Sequence, residues 1–145
     1  KRMMENFQKG IALPVDLKDQ TIYFAGPAPA KPNEPIGSVG PTTSYRMDAY
    51  SPETIELGLT CMIGKGARSK EVVDAMKKYG AVYIGAVGGA GALISQCVKK
   101  CEVVDYADLG SEAIHRLEVV DFPGIVIIDS QGNNLYETEP PKYKK

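Results

Sequence analysis

A chain of 145 residues, 43% hydrophobic and 24% charged, has enough apolar surface for one compact domain with a core of ordinary size. Its 17 lysines and arginines nearly balance 18 aspartates and glutamates and form no long block of one sign, which argues against a nucleic-acid partner or an anionic membrane surface. The three cysteines are too few for a secreted disulfide framework, the apolar runs are too short to span a bilayer, and no segment reads as a signal peptide, so the expectation is a cytoplasmic protein.

Lys1 to Phe7 has helical spacing without a starting cap and reads as the tail of a helix that ends before Leu13-Pro14. Thr21-Ile22-Tyr23-Phe24 is a short β-type run, and Pro27, Pro29, Pro32 and Pro35 then impose an extended, stiff loop. Pro41-Thr42-Thr43-Ser44 offers hydroxyls to cap a helix over Tyr45 to Tyr50, and Ser51-Pro52 predicts a second helix start with Ser51 as N-cap. Leu59 to Ile63 predicts a buried strand, Gly64-Lys65-Gly66 a break, and Ser69 the cap of a helix that carries Val72, Val73 and Met76 on one face and stops at Gly80.

Ala81 to Ile84 is the next strand, so strand, loop, helix and strand make a right-handed βαβ unit with a parallel pair. Ala86 to Lys100 predicts a Gly-rich turn and a helix. Cys101 to Tyr106, Arg116 to Val120 and Ile125 to Ile128 read as strands of more antiparallel character, Ser130 to Asn133 as a turn, and Lys142 to Lys145 as a frayed tail. The sum is one mixed α/β domain over residues 1–145.

Chemistry concentrates where the Pro-stiffened loop meets a helix start. Free amides there suit a carboxylate, and Arg46, one turn after Thr42, can fork onto two oxygens with charge-assisted bonds of roughly 1.5–3 kcal/mol each. A capped helix whose arginine sits in a surface ion pair is the competing reading of the same residues. Lys65, between two glycines at the end of an apolar strand, stands at the edge where open α/β sheets gather ligands, although a tight turn with a solvated lysine would look the same.

Other candidates carry less. Gly85 to Gly91 follows a strand, but its spacing is not that of a dinucleotide loop and close helix–sheet packing accounts for it. Cys61, Cys97 and Cys101 could together hold a metal, yet a strand cysteine and a helix cysteine ordinarily act as small hydrophobes. His115, the one histidine, has no nucleophile motif near it.

Gly40-Pro41-Thr42-Thr43-Ser44-Tyr45-Arg46-Met47-Asp48, with Gly64-Lys65-Gly66-Ala67-Arg68-Ser69, resembles the class I fumarate hydratase and tartrate dehydratase β family. Ala25 to Pro32, Gly85 to Gly91, Asp121-Phe122-Pro123 and Asp129 to Asn133 follow in the family's order, so the resemblance covers essentially the whole chain. It implies a swivelling β/β/α domain and a hydro-lyase subunit. It also implies an α component with three cysteine ligands for a [4Fe–4S] cluster, whose open iron acts as a Lewis acid, in an α2β2 assembly.

By the same resemblance Arg46 and Lys65 bind substrate carboxylates with Thr43 beside them, Thr42 is the base that removes a proton next to a carboxylate, and this chain's cysteines are not cluster ligands. A threonine hydroxyl ionises far above neutrality, so that role requires cationic neighbours or a relay partner. Lys1-Arg2 matches the end of the family's Arg-Asp-x-x-His-Lys-Arg segment, so the chain is expected to be N-terminally truncated, to lack a further substrate-binding arginine, and to be inactive in isolation. Hydration of fumarate to L-malate is the expected reaction; L-tartrate dehydration and a non-catalytic dicarboxylate-binding or assembly subunit are the alternatives.

Overall fold

The computed structural model describes residues 1–144. Helix α1 (Arg2–Gln8) precedes strand β1 (Thr21–Tyr23), a 3-10 turn (Ser44–Met47), α2 (Ser51–Glu56), β2 (Cys61–Gly64), α3 (Lys70–Tyr79) and β3 (Val82–Gly85). Then come α4 (Gly91–Ser95), β4 (Val98–Asp105), a second 3-10 segment (Ala107–Glu112), β5 (Ile114–Val119), β6 (Ile125–Ile128), α5 (Leu135–Thr138) and α6 (Pro140–Tyr143).

Four strands form one mixed sheet in the order β1-β2-β3-β6, with β1, β2 and β3 parallel and β6 antiparallel to β3. Strands β4 and β5 form a separate antiparallel ribbon. Both the parallel crossover and the antiparallel late region expected from the sequence are present.

The sheet buries both faces, and the period of two along each strand divides its side chains between them. Met62 and Tyr83 join Ile55, Leu59, Val72, Met76 and Ile128 in the core under α2 and α3. Tyr23 and Ile63 pack on the opposite side against a second core of Ile36, Val39, Ala86, Ile94 and Val98, which Cys101 and Leu117 of the ribbon also cover. A helical layer, a mixed sheet and a ribbon layer follow one another.

Helix α3 forms as its sequence predicts. Ser69 is extended, its hydroxyl accepts from the Val72 amide at 3.4 Å, and Gly80 ends the helix at φ 81°, a left-handed conformation that costs glycine little.

Several expectations are corrected. The helix expected over Tyr45 to Tyr50 shrinks to the 3-10 turn, which has no side-chain cap, and Tyr50 rather than Ser51 is the N-cap of α2. The two helical segments nearly abut, which leaves no extended residue from which Ser51 could cap; its hydroxyl donates to the Met47 carbonyl at 2.9 Å instead. The helix expected through Lys100 ends at Ser95, because Val98 is buried and pairs with Val119 at the start of the ribbon. Cys97 therefore lies between α4 and β4, outside any helix, and its thiol contacts the Asp121 carbonyl at 3.4 Å. Of the tail expected to fray, Lys142 and Tyr143 belong to the exposed helix α6, and Lys145 lies outside the described residues.

Candidate functional site

Because β1, β2 and β3 run parallel, the segments after Tyr23, Gly64 and Gly85 leave the sheet at the carboxyl ends of adjacent strands, where open α/β sheets gather ligands. The proline-rich loop returns to this edge. Pro41 bridges Ala25 and Thr43 bridges Lys65; the Thr42 amide donates to the Phe24 carbonyl at 2.8 Å and the Ser44 amide to the Lys65 carbonyl at 3.0 Å. Residues 41–44 are thus stitched to the continuations of both β1 and β2, and Arg46 follows within the 3-10 turn.

Thr42, Thr43, Arg46 and Lys65 all have exposed side chains at this edge. Among the described residues, neither Arg46 nor Lys65 forms an ion pair; the pairs present are made by other residues. The competing reading of Arg46 as half of a surface salt bridge therefore fails. Lys65 instead lies beside the Gly-rich loop, where a side chain built at Gly88 would come within 3.5 Å of its ammonium nitrogen. The Thr42 hydroxyl donates to the Phe24 carbonyl at 3.1 Å, which leaves its lone pairs free to accept from a ligand. With a single four-residue 3-10 turn in place of a helix start, an anion at this edge would meet the two cations and the hydroxyls rather than a helix dipole.

A buried lock lies beneath these exposed groups, and the sequence assigned no role to Asp48, Arg68 or Tyr83 in it. Arg68, with a fully buried side chain, donates from Nε to Asp48 Oδ1 at 2.7 Å and from a terminal nitrogen to the Ser51 hydroxyl at 2.7 Å. Asp48 Oδ2 accepts from the Ser69 amide at 2.6 Å. The guanidinium also sits over the rings of Phe24 and Tyr83, at 5.3 and 5.0 Å from their centroids.

The Tyr83 hydroxyl lies 3.0 Å from both the Ser44 hydroxyl and the Gly66 carbonyl. A carbonyl can only accept and a phenol has one proton, so Tyr83 donates to Gly66 and Ser44 donates to Tyr83. Ser44 is fully buried and Tyr45 is 65% exposed, so of these two neighbours only Tyr45 faces solvent. Asp48 and Arg68 each lie within a motif that carries the family resemblance; what sequence could not show is that they meet.

The cysteines stand apart from this edge. Cys61 opens β2 at the end opposite Lys65, and Cys97 and Cys101 belong to the ribbon region. Burial raises the Cys61 thiol pKa, and burial followed by the Glu102 charge raises that of Cys101, which disfavours the thiolates a metal would need. Among the described residues no three His, Cys, Asp or Glu side chains are placed to hold a metal ion. A [4Fe–4S] cluster therefore has no fitting ligand set among the described residues. His115 lies inside β5 with Nδ1 3.0 Å from the Ala113 carbonyl.

Residues 1–139 match the family model described as Fumarase C-terminus. The chain belongs to that family. Aerobic class I fumarate hydratase of Salmonella typhimurium is 41% identical over 138 residues, which span 94% of this chain and 24% of that protein. Fumarate hydratase 1, mitochondrial, of Leishmania major is 42% identical over 142 residues, 94% of this chain and 25% of that protein. The putative L(+)-tartrate dehydratase subunit beta of Methanocaldococcus jannaschii is 41% identical over 142 residues, again 94% of this chain but 73% of that protein. This fumarase C-terminal domain thus spans about a quarter of the length of the fumarate hydratases it matches.

Proposed function

We propose that the chain is the substrate-binding β component of a class I hydro-lyase that interconverts fumarate and L-malate. The observation that carries this reading is the pair of exposed, ion-pair-free cations, Arg46 and Lys65, brought to one sheet edge by the Thr43–Lys65 bridge with the Thr42 hydroxyl beside them. Two fixed cations suit a dicarboxylate, and guanidinium and ammonium then hold its ends while the hydroxyls orient it.

Thr42 lies where it can accept a hydrogen bond from the substrate or, if deprotonated, take the proton next to a carboxylate. The carbonyl that receives its own proton is no base, so proton removal by Thr42 needs a further acceptor. In the complete enzyme the α component supplies the [4Fe–4S] cluster, a Lewis acid for the departing hydroxide. This chain contributes binding and orientation. Its layers fit the swivelling β/β/α architecture, which lets one domain close over a site shared with a partner. We further assign residues 1–145 to a single domain of an α2β2 enzyme, with the cytoplasm as compartment.

A second reading, the β component of an L-tartrate dehydratase, draws on the Methanocaldococcus jannaschii relative, whose name describes a subunit beta. The same two cations would hold tartrate. The deciding experiment reconstitutes the chain with its α partner and assays malate and both tartrate stereoisomers. Turnover of malate and fumarate supports the first reading, preference for L-tartrate the second. Full activity in an enzyme carrying both Arg46→Ala and Lys65→Ala would sink both.

A further inference from the structure

We propose that Tyr83, through its buried hydroxyl, is a positioning residue that sets the spacing of Arg46 and Lys65 and hence the length of dicarboxylate the site accepts. This inference rests on the substrate-binding role given to those two residues above.

Tyr83 has no solvent exposure, so its hydroxyl never touches substrate; it acts from beneath the site. One side of that hydroxyl receives the proton of Ser44, the first residue of the turn that carries Arg46. The other side holds the Gly66 carbonyl, one residue beyond Lys65. The two cations sit on segments otherwise tied by the Ser44–Lys65 backbone bond and, further along, by the Arg68–Asp48 pair. The phenol is the only side chain among the described residues that hydrogen-bonds to both Ser44 and Gly66.

Ser44 cannot swing elsewhere to recover a partner. It is packed so tightly on β2 that a Cβ at Gly64 would lie 1.8 Å from its oxygen. The Gly66 peptide is gripped on its other side too, where its amide donates to the Tyr136 hydroxyl at 3.2 Å, so Tyr83 and Tyr136 hold the two sides of the Lys65 loop. Removing the Tyr83 oxygen therefore leaves the buried Ser44 hydroxyl and the half-buried Gly66 carbonyl without that partner at the junction between the cation-bearing segments. Small changes in such a junction alter the distance between the two charges, to which a rigid diacid is sensitive.

The test uses the assembled enzyme with its α partner. Tyr83→Phe keeps the ring under Arg68 and removes only the oxygen. It should lower kcat/KM for malate by about tenfold to a hundredfold, mainly through KM. As a readout of spacing, the ratio of inhibition constants for glutarate and succinate, which differ by one methylene, should shift towards glutarate. Met4→Ala, on the buried face of α1 and outside the cluster that holds Tyr83, serves as a control that lowers the melting temperature and leaves the ratio unchanged. A Tyr83→Phe enzyme that loses stability like the control but keeps its KM and its inhibitor ratio overturns the inference. Full activity of Arg46→Ala and Lys65→Ala enzymes overturns the underlying reading instead. If Tyr83→Phe does not assemble, Ser44→Ala, which removes the opposing hydroxyl, is read by the same ratio and the same two outcomes.

Discussion

Arg46 and Lys65 form no ion pair among the described residues, whereas Arg68 is buried against Asp48. Replacing Arg46 by Gln keeps a donor but loses the charged fork, so KM for a dicarboxylate should rise by at least about tenfold with little change in melting temperature. An unchanged KM would mean the guanidinium does not meet substrate. The glycines around Lys65 should respond unequally. Gly64→Ala drives a methyl into the buried Ser44 hydroxyl and should cost about 1–3 kcal/mol, while at Gly88 the nearest atoms lie 3.5 Å away and alanine should be nearly neutral in denaturant unfolding. Lys65 and the Thr42-to-Arg46 run are legible in sequence because glycine, proline and hydroxyl residues punctuate them. The buried partners are not, since nothing in the spacing of Asp48, Arg68 and Tyr83 along the chain marks them as neighbours.

The short segments between strands carry the site, and they are stabilised less by their own hydrogen bonds than by what crosses between them. Asp48 links the turn that bears Arg46 to the first residues of α3 through Arg68 and the Ser69 amide. Asp48→Asn keeps the shape but leaves a buried guanidinium without its counter-charge, and the loss should approach ~3–5 kcal/mol in chemical unfolding. Ser69→Ala removes only a cap and should cost about 1 kcal/mol. A similar loss in both variants would show that the buried pair contributes no more than a cap does. Helix α3 is readable in advance because cap, apolar face and terminal glycine agree with one another. The 86–100 segment is not, because alanine, leucine and isoleucine permit a longer helix and only the pairing of Val98 with Val119 ends it.

Across the whole domain, two tyrosines tie the layers together and both ionise less readily than a free phenol. Burial pushes Tyr23 up, while its hydroxyl donates to the Val39 carbonyl at 2.7 Å; burial also raises Tyr83, partly offset by its bond from Ser44 and by the nearby Arg68 charge. The fold favours their protonated forms. That stabilisation is complete below the unfolded tyrosine pKa of about 10 and is lost as the pH rises through the higher folded values. The melting temperature should therefore fall steeply above about pH 10, and Tyr23→Phe should flatten that fall. Melts of both proteins across the alkaline range check this, and identical slopes would refute a role for Tyr23.

Local chemistry along the chain was enough to specify the parallel βαβ unit, the stiff proline loop, the cap and stop of α3 and the cationic residues at the strand ends, because each depends on neighbours within a few positions. Ordered motifs also carried the family. The division into a sheet and a separate ribbon, the end of α4, and the lock of Tyr83, Ser44, Arg68 and Asp48 depend on residues up to 39 positions apart meeting in a packed interior. Burial and hydrogen-bond satisfaction select those meetings only once every layer is in place, so the cations were visible in the chain and the device that spaces them was not.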